Sequence, residues 1–201
     1  MRELEAFRTF VAPLVLACPD TFIDQHLITA ARELCQRTRV WRAVDEFAAT
    51  GDASEIIFVP PDASLFEIES VHFDGRPLRH VHFDAGKFTA EADGAPPVAV
   101  MQIRPDTLSV IPPQAGTVRI SMFLMPSNLA EALPEILYDH FAQDIAHGAL
   151  ASLMVMPNVG WSSPEVAAYY RSMFVRTLDR NFGFHARGQH RAPVRTTPRF
   201  V

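Results

Sequence analysis

Two consecutive helical patterns near the C-terminus constrain the fold of this chain more than any other stretch. Over residues 133–156, Leu137, Phe141, Ile145, Ala149, Leu153 and Met156 recur every three or four residues, the spacing of one buried helix face. Pro134 suits the start of that helix, where the first-turn amides have no intrahelical partner, and Met156-Pro157-Asn158-Val159-Gly160 suits its end. The second pattern, over 164–187, offers Ser163 as N-cap, Pro164 at the first helical position and Glu165 at the positive helix end. Val166, Tyr170, Phe174 and Leu178 mark its apolar row. A connection this short predicts antiparallel neighbours. Gly148 interrupts the first pattern among Ala142, Ala146, Ala149 and Ala151. A mid-helix glycine costs about 1 kcal/mol relative to alanine, so its presence predicts close approach of another backbone.

Residues 1–18 read as an arm with a short extended piece at residues 14–17. A helix follows, capped by Asp20 or Thr21, with Ile23, Leu27, Ala30/Ala31, Leu34 and Trp41 as its stripe. Beyond Trp41 the period changes. Residues 55–59, 66–73, 78–83, 98–103, 107–111 and 117–125 are short, rich in β-branched and aromatic residues, and separated by turn pairs such as Pro96-Pro97 and Ala115-Gly116. Asp74-Gly75 is the strongest hairpin signal among them. One helix before the strands and two after predict an α+β fold: a helical bundle with an inserted antiparallel β-sheet domain and an extended C-terminal tail. The expected organisation is a discontinuous helical bundle over 1–50 and 128–186, a β domain over 51–127, and a tail over 187–201.

With 201 residues, 48% hydrophobic and 20% charged, the chain can bury a real core and has an ordinary globular composition. Cys18 and Cys35 show neither zinc nor redox spacing, so buried thiols are expected. The lipoprotein-like Val15-Leu16-Ala17-Cys18 follows a short run broken by Pro13 and preceded by Glu3 and Glu5, which argues against a signal peptide. No apolar run is long enough to span a bilayer. Net charge is −5, but residues 186–201 hold Arg187, Arg191, Arg195 and Arg199 without an acid, leaving 14 basic against 23 acidic side chains before them. The tail is therefore basic, proline-punctuated, ended by Phe200-Val201, and too poor in apolar residues to fold alone, which points to a partner of its own.

Residues that could carry chemistry have simpler readings. His140, Asp144 and His147 stack at i, i+4 and i+7, a spacing open to zinc or iron, yet helix phase puts them opposite the apolar row, on an expected solvated face. A metal hydrolase built on them would carry stoichiometric metal. His72, His80 and His82 flank the Asp74-Gly75 turn, but a two- or four-residue loop puts His72 on the face opposite the other two. The chain has no nucleophile elbow, no thiol in an activating motif and no phosphate-binding glycine loop, so neither an enzyme nor a cofactor is expected. Trp41 and Trp161 read as core anchors at helix boundaries.

The order of these features resembles a known family. Pro19-Asp20, Leu27-Ile28, Ala30-Ala31-Arg32-Glu33-Leu34-Cys35, Thr38 and Trp41-Arg42 come first; Ile68, Val71 and Asp74-Gly75-Arg76-Pro77-Leu78 follow in the sheet; Leu133-Pro134, Ile145-Ala146-His147-Gly148-Ala149-Leu150-Ala151, Leu153 and Trp161 complete the set. Together they resemble the head-to-tail adaptors that short-tailed and related bacteriophages place below the portal, including the tail tubular protein A group. The resemblance implies a structural virion protein of the neck and no membrane association. It implies a homo-oligomeric, dodecameric ring between the portal protein and a downstream tail or nozzle protein, with DNA passing the lumen without sequence-specific binding. In several members a C-terminal extension docks on the portal, a role that Arg187, Arg191, Arg195, Arg199, Phe200 and Val201 would fill here. The reading from another class is a cytosolic protein that binds nucleic acid through the same basic tail.

Overall fold

The computed structural model describes residues 1–51, 55–81, 96–102 and 104–183. In chain order its elements are β1 (Arg2–Glu3), α1 (Leu4–Arg8), a 3₁₀ turn (Ala12–Leu14), α2 (Asp20–Thr38), β2 (Arg42–Thr50), β3 (Glu55–Ile56), β4 (Ala63–Phe73), β5 (Arg76–His80), β6 (Ala99–Met101), β7 (Thr107–Ile111), β8 (Ala115–Pro126), β9 (Ala132–Leu133), α3 (Glu135–Leu153) and α4 (Pro164–Arg180). The fold is α+β. Its contacts divide into two compact units, one made of Met1–Val40 with the chain from Glu131 onward, the other of Trp41–Ala130.

In the helical unit, α3 is the central element. Leu137, Phe141, Ile145, Ala149 and Leu153 are buried as their spacing predicts, and Ala142, Ala146, Gly148, Leu150 and Ala151 are buried as well. Burial on so many sides means that the helix is covered by two neighbours, α2 and α4, rather than by one. The α4 row is rotated from its expected position: Ala167, Phe174, Thr177 and Leu178 are buried while Val166 is exposed. Ser163 holds the N-cap position without a side-chain cap bond, and the helix ends at Arg180 rather than near residue 187. Full burial of a side chain such as Phe174 is worth about 1.5–3 kcal/mol.

The N-terminal arm is built differently from the expected extended piece. β1 pairs antiparallel with β9, α1 buries Leu4 and Phe7, and the Phe7 ring meets Tyr138 edge-on with centroids 5.3 Å apart. Arg8 forks onto Asp24 through Nε and Nη2, both at 2.6 Å, which ties the arm to α2. Helix α2 starts one residue past Pro19, so Asp20 lies inside it rather than capping it, and Arg39 closes it in the left-handed region. Trp41 therefore falls outside the α2 stripe. It is half-buried against the core of the other unit.

That other unit is a curled sheet of order β2-β8-β4-β5-β6-β7-β3. Val71, Phe73, Leu78, Val100, Leu108, Val110, Val118, Ile120, Met122 and Leu124 fill its interior. Asp74 and Gly75 both have positive φ, 46° and 79°, in a two-residue hairpin that pairs Phe73 with Arg76. Two register shifts in the β4/β8 pairing bend β4. The sheet is not wholly antiparallel as expected, because β5 and β6 run parallel. Parallel neighbours need a connection of a dozen or more residues, and residues 81–98 supply that length. The terminal strands β2 and β3 follow one another in sequence, and the Phe58 N–H donates to the Asp45 carboxylate at 3.1 Å, so the two edges of the sheet approach.

Candidate interaction surfaces

The six tail residues read as portal-binding, Arg187, Arg191, Arg195, Arg199, Phe200 and Val201, lie outside the described residues. So does His82; for the rest of that cluster, the two-residue hairpin puts His72 and His80 on opposite faces, as strand parity requires.

The His140/Asp144/His147 row is not a uniformly solvated face. His140 is exposed, but α4 packs along this side of α3 and half-buries the other two. Buried Thr177 donates through Oγ1 to Asp144 Oδ1, and the His147 ring stacks on Tyr170 with centroids 5.5 Å apart and an interplanar angle of 23°. His147 Nδ1 is buried with no hydrogen-bond partner among the described residues, and burial lowers the His147 pKa against a smaller opposing pull from Asp144. A second half-buried histidine, His26 on α2, bonds through Nδ1 to Ser152 Oγ on α3 at 2.7 Å, and its pKa is also lowered by burial. Ser152 in turn donates to the Ala149 carbonyl at 2.9 Å, a bond within its own helix. These groups pin the three helices together. Among the described residues, no group of three or more His, Cys, Asp or Glu side chains is placed to hold a metal ion.

Cys35 is fully buried and its thiol is pushed up to about 12 by desolvation, whereas Cys18 is only half-buried, against the expectation of two buried thiols. Trp161 is half-buried rather than a full core anchor, with its Nε1 enclosed and unpartnered among the described residues.

One feature escaped the sequence reading. An apolar groove of about 420 Å³ runs along the helical unit between α2, α3 and α4, with Ala30, Gly148, Ala151, Val155, Pro164 and Ala168 in its walls. Gly148 lets the helices close beneath it: a Cβ there would lie 2.8 Å from Ala30 Cβ and 3.1 Å from the Phe174 ring. The close approach is therefore to a methyl and a ring rather than to backbone. At one end, Arg171 forks onto Glu33 with both contacts at 2.8 Å. The signal in the sequence was the run of alanines around Gly148, which leaves room where larger side chains would fill it.

The exposed large apolar side chains include Phe10, Leu14, Leu16 and Phe22 in the helical unit and Ile56 with Phe58 in the sheet unit. No helix among the described residues is long and apolar enough to cross a membrane. In comparison with known families, the model described as SU10 adaptor protein matches residues 4–198, nearly the whole chain and both structural units. No curated protein matches it.

Proposed function

The chain belongs to the SU10 adaptor protein family, a family of phage head-to-tail adaptors, and from that premise we propose that it forms a homo-oligomeric ring, a dodecamer, between the portal and the tail. Membership itself makes it a structural phage adaptor of the virion neck, which is the family that the ordered motifs resemble. The ring, the portal contact and the DNA conduit are the finer reading. In that reading the helical unit forms the ring, the sheet unit faces the downstream tail or nozzle protein, and the chain performs no catalytic step.

The observation that carries the proposal is the extent of the family match, which runs through the helices, the sheet and the tail as far as residue 198. Charge supports it. A conduit wall must let DNA pass, and a body with 14 basic against 23 acidic side chains over residues 1–185 offers few phosphate contacts and little of the counterion release that drives sticking. The tail is the exception. Its four arginines suit forked contacts to carboxylates, Pro193 and Pro198 forbid one continuous helix, and Phe200-Val201 can fill an apolar cleft on the portal.

The test is electron microscopy of the purified protein mixed with portal rings, for the full chain and for a chain ended at residue 186. The full chain is expected to add a ring of density to the portal and the shortened chain to add none. A shortened chain that still assembles overturns the docking role of the tail. Full-length protein that stays monomeric beside portal rings overturns the ring. Salt-sensitive DNA binding that disappears with the tail would instead support a nucleic-acid-binding protein.

A further inference from the structure

We propose that the groove between α2, α3 and α4 is a docking site for the C-terminal end of this same chain, Phe200-Val201 with Arg199, in the free subunit. The proposal does not rest on the portal reading, since it concerns the subunit before any partner is met.

Three observations support this occupant. The first is chemical: the groove is walled by Ala30, Gly148, Ala151, Val155, Pro164 and Ala168, and Val155 remains 59% exposed, so a concave apolar surface is left to water. Two adjacent apolar residues, Phe200 and Val201, match its size and character. The second is reach. Helix α4 forms one wall, and Ala168 lies about 18 Å along it from Arg180, at 1.5 Å per residue. Between Gly183 and Phe200 lie 16 residues, so the two are at most about 60 Å apart when the chain is extended. Any route back over the helical unit is therefore open to it. The third is charge. Glu33 in the groove is matched by Arg171, which lines it too, but exposed Glu165 follows Pro164 in sequence and adds an acid beside that wall, while the tail carries four arginines and no acid.

Attachment through the chain makes a weak site sufficient. An end tethered this close is presented at an effective concentration on the order of millimolar, so even an intrinsically poor pocket is occupied for much of the time. The consequence is a subunit that covers its own apolar groove and holds its basic end in place until a stronger partner displaces it.

The test is disulfide trapping in the full chain, with Cys18→Ser to remove the half-buried thiol. Val201→Cys is paired in turn with Ala168→Cys in the groove and with Arg176→Cys, which lies on the same helix, closer to the root of the tail and outside the groove. All are oxidised in dilute solution with oxidised glutathione, and the products are read by mass spectrometry. The intramolecular bond to residue 168 is expected to form faster than the bond to residue 176 by roughly tenfold or more. Adding Phe200→Ala or Glu165→Arg should erase most of that preference. Val155→Cys serves as a second groove position should Ala168→Cys unfold the protein, judged by its thermal transition. Equal rates at 168 and 176, or a faster bond at 176, overturn the proposal. Predominantly intermolecular bonds also overturn it and point to a second copy in the groove. Either result leaves attachment to portal rings, measured separately, as it stands.

Discussion

Gly148 on α3 and Ala30 on α2 stand so close that a methyl group on the glycine would lie 2.8 Å from the alanine's own methyl. Ala30 has no rotamer by which to retreat, and the Phe174 ring at 3.1 Å closes the other side. Gly148→Ala gains about 1 kcal/mol of helix propensity and incurs about 1–3 kcal/mol of overpacking. A lower melting temperature is expected, measured by calorimetry. An unchanged or higher one would mean that α2 can step back at no cost.

A second glycine makes a test inside the sheet unit. The Phe73 ring of β4 covers Gly116 of β8, and a Cβ at 116 would fall 2.2 Å from Phe73 Cζ. The ring belongs to the buried core and cannot swing away without leaving a void. Gly116→Ala is expected to cost about 1–3 kcal/mol in urea unfolding. In a Phe73→Leu background the same change should cost clearly less, because the clashing ring is gone. Equal costs in the two backgrounds would show that Phe73 is not what the glycine accommodates.

These contacts mark how far the sequence could be read. Helix α3 was legible because its row from Leu137 to Leu153 is strongly apolar, and the hairpin because Asp74-Gly75 tolerates two positive φ angles. The phase of α4 was not. Val166 outranks Ala167 in hydrophobicity, but the alanine is the residue that packing buries, and only the neighbouring helices decide that. The same neighbours explain Asp144 and His147, which sit on a polar face by helix phase and against α4 in the fold. Strand β2 was missed because its half-buried row, Ala43, Asp45, Phe47 and Ala49, contains a carboxylate whose partner is the Phe58 amide, while Val44 points outward. The groove was illegible because no single residue announces it; it is what remains when three helices meet through small side chains.

The two cysteines should separate cleanly by reactivity. Cys35 is fully buried with its thiol at about 12, so almost no thiolate forms near neutrality, whereas Cys18 is half-buried. An aromatic disulfide reagent at pH 8 is expected to titrate one thiol in the native protein, and the second only after addition of guanidinium. Cys18→Ser should abolish the native-state reaction. Two thiols reacting at similar rates in the native protein would mean that the helical unit opens far more often than its packing implies.

Acid should loosen the helical unit through two half-buried histidines. His26 and His147 both have folded-state pKa values below the ordinary 6.5, His26 from desolvation alone and His147 from desolvation that outweighs the pull of Asp144. The groups facing them are Ser152 for His26, and Tyr170 for His147, with Asp144 on the same helix already accepting from Thr177. A lowered folded-state pKa means that the unfolded chain binds protons first as pH falls. The stability these two sites contribute is therefore fully present above about pH 6.5 and is lost as the pH drops through the unfolded value toward the folded ones. Urea unfolding followed by helical circular dichroism is expected to show a midpoint that is flat between pH 8 and 7 and falls between 7 and 5. His147→Gln removes one titrating ring and should shallow that fall while leaving the flat region in place. A midpoint that rises on acidification, or a slope that His147→Gln leaves untouched, would show that the stacked imidazole is not held neutral between α3 and α4.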